Sequence, residues 1–244
     1  MTMKFLPDRA LLLPGRILVV ADLHIGLERE LAEAGIHVPS QVGKIQKRID
    51  TLITQTKART LVILGDVKHQ VPTISWQEMR EVPEFLEHLL KNVRVIVVKG
   101  NHDGDIERLA PVNVEIYEPT GFAMGEFALV HGQAWPDKKL LKCKTIVLAH
   151  IHPAIEFVSG GYRAVEHCWL RCPVDAKALK KRFKVTVKLS DAIIMPAFNK
   201  LIGGVAVNSK DFEPIGPLLR SGAVKLNKAE AWLTDGTAIG NLHL

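Results

Sequence analysis

The sequence predicts an α/β protein of four layers, an α/β/β/α sandwich in which two mixed sheets pack face to face and helices cover their outer sides. Two patterns predict this fold. Strands and helices alternate up to residue 111, which favours parallel strands joined by helical crossovers. From Val112 onwards, short strands separated by glycine-containing turns replace that alternation. A hydrophobic content of 47% in 244 residues is ample for cores between such layers.

Continuous apolar runs in the first half predict buried strands at residues 16–20, 61–64 and 93–98. Each run is followed by the next element of a strand-helix-strand pattern, so the three strands are expected to be parallel. A hairpin partner for the first strand is predicted at Ala10–Leu13, because Pro14-Gly15 provides a turn. The first sheet therefore combines parallel strands with an antiparallel neighbour.

Two helices are predicted between these strands, at residues 41–56 and 75–90. In the first helix, apolar side chains recur at helical spacing, and Ser40 is placed to cap the amino terminus. In the second helix, Ser75 and Glu78 match a capping box. Pro83 lacks a backbone N–H, so the second helix is expected to kink or to divide into two.

The second half predicts shorter strands, at residues 112–117, 122–124, 127–130, 145–149, 155–158, 162–170, 184–189 and 192–195. Gly160-Gly161 predicts the turn of a hairpin between two of these strands. Asp175 is placed to cap a basic helix at Lys177–Phe183. Most of these strands are expected to form the second sheet of the sandwich.

The chain is interpreted as one domain, residues 1–244, with a motif-bearing core at 16–153 and a basic part at 154–244 that completes the second sheet. The net charge of +6 is uneven. Residues 1–134 carry 15 basic and 17 acidic side chains, whereas residues 135–244 carry 17 and 9. The basic second half suits a polyanion such as nucleic acid, and it is equally compatible with a lysine-rich solvated surface.

The chain has no apolar run of the roughly 18 residues that a membrane span needs, so no membrane association is expected. Its first residues do not match a signal peptide, and a cytoplasmic location is expected. The odd number of cysteines, Cys143, Cys168 and Cys172, favours buried thiols over a disulfide framework. A zinc site that includes His167, Cys168 and Cys172 is the less favoured alternative, because a second ligand pair is missing.

Potential metal ligands follow the predicted strands at their carboxyl ends, where open α/β sheets form crevices. These side chains are Asp22, His24, Asp66, Asn101, His131, His150 and His152. Their mixture of oxygen and nitrogen donors favours manganese, iron or zinc over calcium or magnesium. Seven ligands exceed the needs of one ion that also holds substrate. Two divalent ions about 3.5–4 Å apart, sharing a carboxylate, are therefore expected.

Five motifs carry a family resemblance: Asp22-Leu23-His24, Gly65-Asp66, Gly100-Asn101-His102-Asp103, His131-Gly132 and His150-Ile151-His152. Over residues 16–153 this series resembles the calcineurin-like metallophosphoesterases. Residues 21–26, Gly35, residues 39–41, residues 196–199 and Gly203-Gly204 are similar to one branch of that superfamily. The branch consists of small prokaryotic phosphoesterases related to the SbcD-type DNA-repair nucleases, and it includes the ligase-associated metallophosphoesterases.

The resemblance implies a role for each motif residue. It divides the ligands into two sets that share the bridging carboxylate of Asp66. The set for the first ion is Asp22, His24 and His152, and the set for the second is Asn101, His131 and His150. Two Mn²⁺ ions are expected, with iron, zinc and nickel as alternatives, and a metal-bridging hydroxide would attack phosphorus. His102 would be catalytic by protonating the leaving oxygen or steadying the phosphoryl group, with Asp103 orienting its ring.

The resemblance also narrows the substrate. The second motif continues with Val67-Lys68-His69, where protein phosphatases of the superfamily carry arginine, which argues against phosphoprotein substrates. The leading hypothesis is a hydrolase, a phosphodiesterase or nuclease that acts on DNA or RNA, with DNA repair as its context. Two basic clusters are candidates for phosphate contacts and are equally compatible with solvated helix faces: Lys138, Lys139, Lys142 and Lys144, and Lys177, Lys180, Lys181 and Arg182. The alternatives are a small-molecule phosphodiesterase acting on cyclic nucleotides or similar compounds, and a non-catalytic scaffold.

Partners are suggested by what the chain lacks relative to the large repair nucleases. Only 28 positions lead from Asp103 to His131, whereas those nucleases carry longer insertions and a capping domain that hold DNA. A helicase or ligase partner is therefore considered. A homodimer is considered because the nucleases that the chain resembles often dimerise. His69, three residues after Asp66, is expected at the surface, with a contact to substrate or to a metal ligand as the alternative.

Overall fold

The computed structural model describes residues 2–242 and contains two β-sheets, one of six strands and one of nine. The two sheets pack face to face, and helices cover the outer side of each sheet. Parallel and antiparallel strand pairs occur in both sheets. The predicted α/β/β/α sandwich of two mixed sheets is confirmed.

The first sheet has the strand order β1-β2-β3-β4-β5-β6. Its strands are β1 Lys4–Leu6, β2 Ala10–Leu13, β3 Ile17–Val20, β4 Thr60–Leu64, β5 Arg94–Val98 and β6 Glu115–Tyr117. Strands β3 to β6 are parallel, and β2 pairs with β1 and β3 in the antiparallel sense. Because the parallel strands end at one edge of the sheet, the segments that follow β3, β4 and β5 lie side by side.

Three helices belong to the first half: α1 Leu27–Glu33, α2 Val42–Thr56 and α3 Trp76–Leu90. The predicted capping box of Ser75 and Glu78 is present at the start of α3. Helix α2 begins one residue later than expected. The Ser40 hydroxyl accepts from the Val42 N–H at 3.3 Å and also donates to Glu81 at 2.9 Å, which ties α2 to α3.

Helix α3 runs through Pro83 as one helix, so the expected division there is wrong. The helix buries Val82, Phe85, Leu86 and Leu89 against the first sheet. This apolar face holds both sides of the proline on the same surface, and tertiary packing therefore outweighs the missing hydrogen bond.

The second sheet has the order β13-β10-β11-β12-β9-β8-β7, and β14 pairs with β11 and β15. Its strands are β7 Phe122–Met124, β8 Phe127–Leu129, β9 Thr145–Leu148, β10 Pro153–Ser159, β11 Tyr162–Pro173, β12 Asp191–Ile194, β13 Val205–Ala206, β14 Glu230–Leu233 and β15 Ala238–Asn241. The predicted hairpin around Gly160-Gly161 joins β10 to β11. Strands β8, β9 and β12 are parallel, which places the segments after β8 and β9 at one edge.

Helices α4 Ala176–Phe183 and α5 Pro217–Arg220 lie against the second sheet. The predicted cap of α4 is confirmed, because Asp175 accepts from the Ala178 N–H at 3.0 Å. The strand expected at residues 184–189 is absent from this described segment, and that prediction is wrong. Val185 and Val187 pack against the core without strand pairing, so their alternation reflects side-chain packing alone.

Apolar side chains fill three layers, one between the sheets and one beneath the helices on each side. In the central layer, Trp169 of β11 stacks on Phe5 of β1 with ring centroids 4.7 Å apart. The three cysteines are free and buried, as predicted. In residues 2–242, the helices lack the combined length and apolar character that crossing a membrane requires.

Candidate metal centre

Every predicted ligand lies just after the carboxyl end of a strand. Asp22 and His24 follow β3, Asp66 follows β4, Asn101 follows β5, His131 follows β8, and His150 and His152 follow β9. Backbone hydrogen bonds hold the first two segments together. The N–H groups of Asp22 and His24 donate to the carbonyl oxygens of Gly65 and Asp66, at 3.1 and 2.8 Å. The geometry of the parallel strands thus brings side chains that are far apart in sequence into one cluster.

Two groups of potential ligand atoms form within this cluster, and in each group the atoms lie within 4.8 Å of one another. The groups are Asp22, His24, Asp66 and His152, and Asp66, His131 and His150. Both contain Asp66, whose Oδ2 lies 3.5 Å from His24 Nε2 and 3.3 Å from His131 Nε2. Asn101 joins the second group, because its Oδ1 lies 3.3 Å from His131 Nε2. The arrangement offers two adjacent ion sites with one carboxylate between them.

The backbone of these segments is left-handed at most of the ligand positions. The φ angles are 54° at Asp22, 43° at His24, 51° at Asp66, 73° at His150 and 46° at His152. Residues with a Cβ rarely adopt this conformation, and clusters of such residues occur at functional sites. The surrounding strands therefore impose a backbone that these residues would not choose in isolation.

Two glycines make room for the ligands. A Cβ at Gly65 would collide with the His131 ring, and a Cβ at Gly100 would collide with the Asp66 carboxylate and its backbone nitrogen. Only hydrogen atoms separate these backbones from the ligand side chains. Glycine is needed at both positions because of this close approach.

We expect Gly100→Ala to weaken binding of divalent metal without removing any ligand. The new methyl group must displace the Asp66 carboxylate, so metal affinity should fall about 10–100-fold, as when the neighbours of a ligand are disturbed. Overpacking should also cost about 1–3 kcal/mol of stability. Titration with Mn²⁺ measures the first effect and thermal unfolding the second. Gly104→Ala in the same segment is the matched control, because a Cβ there has no heavy atom within 4 Å. Equal affinity in both variants would contradict the expectation.

Several buried atoms of the cluster have no hydrogen-bond partner within residues 2–242: Asp22 Oδ1 and Oδ2, His24 Nε2 and His152 Nε2. Burying such polar atoms without a partner is costly, so a missing ligand is the simplest explanation. These are oxygen and imidazole donors, the types that bind manganese, iron and zinc. The residues present therefore fit a divalent metal centre.

The electrostatics of the site favour a cation. Burial lowers the pKa of His24 to about 3 and that of His150 to about 4, so both imidazoles are neutral at pH 7, the form that binds metal. Burial also acts to lower the pKa of His131, but the carboxylates of Asp66 and Asp22 outweigh it and raise the pKa to about 9. Positive charge, as a proton or as a metal ion, is thus stabilised between these carboxylates.

His131 is held so that one ring nitrogen faces the cluster. Its Nδ1 donates to the carbonyl oxygen of Leu64 at 2.8 Å, and its side chain is fully buried. This contact leaves Nε2 on the side of Asp66 and Asn101, where it carries a proton or binds a metal ion. A backbone carbonyl that fixes the tautomer is a common support for a ligating histidine.

His102 lies beside the cluster and is half-buried. Its N–H donates to Asp66 Oδ1 at 2.9 Å, and its ring Nδ1 contacts the carbonyl oxygen of His69. Its ring lies 4.7 Å from the ring of His24, between centroids. The imidazole is therefore anchored through Nδ1, which leaves Nε2 available for chemistry.

The expected role of Asp103 as the partner of the His102 ring is corrected by the structure. The Asp103 carboxylate is fully buried and accepts from the N–H groups of Val67, Lys68 and Gly100, at 2.8, 3.3 and 2.8 Å. Asp103 thus joins the segments after β4 and β5, and the His69 carbonyl takes the place expected for it beside His102. Burial raises the pKa of Asp103 to about 6.

A third group of potential ligand atoms, His24, His69 and His102, was not expected. His69 is buried rather than at the surface, so that expectation is wrong. Its Nδ1 lies 3.1 Å from His24 Nδ1, and its Nε2 lies 2.6 Å from Glu30 Oε2. Sequence reasoning missed Glu30, because helix α1 that carries it has no capping side chain and only seven residues.

The two basic clusters lie in segments that connect strands of the second sheet. Lys138–Lys142 forms a 3-10 turn in the segment that follows His131, and α4 carries the second cluster. The Arg182 guanidinium lies 3.9 Å from the centroid of the Trp135 ring, which links α4 to the same segment. Both clusters are thus connected to the segment that leads out of the metal centre.

Known proteins resemble this chain in sequence pattern and in fold. A family model described as calcineurin-like phosphoesterase matches residues 15–189. The crystal structure of Pseudomonas putida nuclease MPE aligns with 97% of this chain and 94% of its own, at 21% identity and a TM-score of 0.59. The E. coli phosphoesterase Yfce aligns with 59% of this chain and 74% of its own, at 22% identity and a TM-score of 0.38. No curated protein sequence matches the chain significantly.

Proposed function

Because the chain belongs to the calcineurin-like phosphoesterase family, whose model matches residues 15–189, we propose that it is a metal-dependent phosphodiesterase that cleaves DNA or RNA. The family relationship makes it a metal-dependent phosphoester hydrolase. The proposal rests on two clusters of carboxylate and imidazole side chains at the carboxyl ends of strands in both sheets. Asp66 belongs to both clusters. Within the family, we place the chain in the SbcD-related branch that includes the ligase-associated forms, on the motifs described above.

In this proposal the two groups hold two divalent ions, with Mn²⁺ as the expected metal. Asp22, His24 and His152 would hold the first, Asn101, His131 and His150 the second, and Asp66 would contact both. When bound, the ions would supply positive charge against the phosphoryl oxygens and lower the pKa of the attacking water. The atoms without a partner, Asp22 Oδ1 and Oδ2, His24 Nε2 and His152 Nε2, support this assignment.

The remaining chemistry falls to the chain itself. His102 is half-buried beside the cluster and anchored through Nδ1, so its Nε2 can carry a proton to the leaving oxygen of the ester. Asp103 acts further away, by holding together the backbone segments that carry Asp66 and His102. These contacts keep the acid and the ligands at a fixed spacing, which is the main requirement for positioning a reacting group.

A nucleic acid substrate is supported by the basic second half of the chain. Residues 135–244 carry 17 basic and 9 acidic side chains, and both lysine-rich clusters adjoin the segment after His131. Such a surface neutralises phosphates along a strand. A nuclease has the same fold over nearly its full length, and the proposal assigns that class of substrate to this chain. A helicase or ligase partner and a homodimer remain predictions.

The test is hydrolysis by metal-stripped protein with and without Mn²⁺. The first comparison is between the diester bis(4-nitrophenyl) phosphate and the monoester 4-nitrophenyl phosphate. The second comparison is between labelled single-stranded DNA or RNA and cyclic nucleotides. We expect Mn²⁺-dependent preference for the diester and for the oligonucleotides. Preference for the monoester would overturn the proposal in favour of a phosphatase. Cleavage of cyclic nucleotides without oligonucleotide cleavage would favour the small-molecule phosphodiesterase, and protein that binds no metal would favour a scaffold.

A further inference from the structure

A cavity of about 500 Å³ lies between α2 and the segment that follows β12. Three lysines line it, Lys44, Lys47 and Lys200, and within residues 2–242 they form no ion pairs. The other charged groups of the lining, Arg48 and Asp8, pair with each other at 3.3 Å. Three positive charges are thus left uncompensated around one concave surface. Such a surface attracts anions, and its volume is within the range of ligand pockets.

The walls of this cavity are clamped together. The Arg48 guanidinium donates to the carbonyl oxygen of Phe198 at 2.9 Å and lies 3.9 Å from the centroid of the Phe198 ring. Phe198 is fully buried, so α2 and the segment after β12 are fixed relative to each other. Ile45 and Leu201 add apolar surface to the lining. The cavity is therefore preformed, and it combines cationic and apolar surface.

The same segment also touches the metal centre. The Asn199 side-chain amide donates to the carbonyl oxygen of Leu23 at 2.8 Å, between the proposed ligands Asp22 and His24. Asn199 lines the cavity, and Lys200 follows it directly. Asn199 thus joins the cavity to the segment that carries Asp22 and His24.

We propose that this cavity binds one nucleotide of the substrate strand, next to the nucleotide whose phosphate is cleaved. The lysines would contact its phosphate, and Ile45 and Leu201 would contact its sugar or base, a combination used by proteins that bind single strands. This inference rests on the proposed function. It predicts phosphate contacts on the α2 side of the centre, in addition to those proposed for the two basic clusters.

The experiment compares the wild type with Lys44→Ala/Lys47→Ala/Lys200→Ala, both loaded with Mn²⁺. For a single-stranded oligonucleotide we expect KM to rise about 10-fold or more while kcat changes little. The slope of log affinity against log salt should fall by about 0.7, the contribution of one neutralised phosphate on a single strand. Hydrolysis of bis(4-nitrophenyl) phosphate should not change, because this small diester does not extend into the cavity. Lys4→Ala/Lys91→Ala/Lys228→Ala removes the same charge elsewhere and is the control.

Equal effects of the two triple variants on KM would overturn the subsite, because the rise would then come from net charge alone. Binding of thymidine monophosphate, measured by calorimetry, tests the subsite separately from catalysis. If the wild type cleaves the small diester but not oligonucleotides, the proposed function fails. The subsite then stands if the wild type binds the nucleotide and the lysine variant does not, and it falls if the wild type does not bind.

A second inference rests on different contacts, which link Glu30 to His24 through His69. The distance from Glu30 Oε2 to His69 Nε2 is 2.6 Å, and that from His69 Nδ1 to His24 Nδ1 is 3.1 Å. A carboxylate only accepts hydrogen bonds, so His69 Nε2 must carry a proton. With the ring proton on Nε2, His69 offers the lone pair of Nδ1 as an acceptor, and His24 Nδ1 is the matching donor. The lone pair of His24 Nε2 is thereby left free on the side of Asp66.

We infer that Glu30 and His69 are positioning residues that select the metal-binding tautomer of His24 and hold its ring in place. A carboxylate that supports a ligating histidine is common, and losing it typically weakens metal binding 10–100-fold. Here the support passes through a second imidazole and begins on the surface, since the Glu30 side chain is 67% exposed. The inference predicts an effect on metal binding from a residue that does not touch the metal site.

The test measures Mn²⁺ affinity of the full chain by calorimetry. Glu30→Ala and His69→Ala should each lower the affinity for one of the two Mn²⁺ ions about 10-fold or more. His69→Asn should restore part of the affinity, because its side-chain oxygen can replace Nδ1 as the acceptor. Glu33→Ala is the matched control on α1, where Glu33 pairs with Arg29 at 3.1 Å. Wild-type affinity in Glu30→Ala, or nitrogen NMR shifts that place the proton of His24 on Nε2, would overturn the inference. Neither measurement needs a substrate, so failure of the proposed function would not affect them.

Discussion

Replacing Asp66 with alanine should abolish phosphodiester hydrolysis. Asp66 belongs to both groups of potential ligands and is the carboxylate that they share. It is 1% exposed, so water does not readily take its place beside His24 and His131. Loss of ions that each contribute several kcal/mol to transition-state stabilisation corresponds to a fall in kcat of roughly 10⁴-fold or more.

The mechanism of that loss is tested by metal content. Metal analysis of purified Asp66→Ala after Mn²⁺ loading should show fewer than two ions per chain, with secondary structure retained in circular dichroism. Asp66→Asn is the near-isosteric comparison, because it keeps the volume and one oxygen but removes the charge. We expect it to retain more metal than the alanine variant and to remain nearly inactive. Two tightly bound ions in Asp66→Ala would contradict the proposal that both ions depend on the Asp66 carboxylate.

His102→Ala is expected to lower kcat by about 10²–10⁴-fold, the contribution of a positioned acid, while both ions remain bound. His102 is anchored by the His69 carbonyl through Nδ1 and lies outside the two groups that contain Asp66. Its loss should therefore remove a proton donor and leave the ligands in place. Steady-state kinetics with an oligonucleotide, together with metal analysis, measures both effects.

The size of the defect in His102→Ala should depend on the leaving group of the substrate. Nitrophenolate departs without protonation, whereas the alkoxide of a nucleotide benefits from a proton donor. The defect of His102→Ala should thus be smaller for bis(4-nitrophenyl) phosphate than for DNA or RNA. His37→Ala, which removes an exposed histidine outside the site, should behave as the wild type. If His102→Ala loses metal, then His102 is a ligand within the group that it forms with His24 and His69, and the proposed role is wrong.

Much of the fold was predictable because two separate sequence features mark the end of each parallel strand. The apolar run of each parallel strand and the polar ligand just after it predict the same strand end, as at Val20 and Asp22. Capping residues with a defined geometry, such as Ser75, Glu78 and Asp175, also located helix starts correctly. These signals are local, and a sequence displays local signals directly.

The predictions from sequence were wrong or incomplete where tertiary contacts determine the local structure. Residues 184–189 alternate like a strand, yet Val185 and Val187 only pack on the core. Helix α1 begins at the left-handed Gly26 without a capping side chain, so its residues carry no start signal. The contact from Glu30 to His69 depends on how α1 meets the segment after β4, and no spacing rule predicts it. The same holds for Asp103, whose partners are backbone N–H groups of two separate segments.

The left-handed backbone at five of the seven proposed ligands has an evolutionary consequence. Each such residue costs about 1 kcal/mol or more, against a net stability of about 5–15 kcal/mol for a typical domain. Glycine would relieve that cost at every one of these positions, at the expense of the ligand. The chain therefore gives up part of its folding stability to keep these ligands in place, and selection for the ligands must be maintained against that cost.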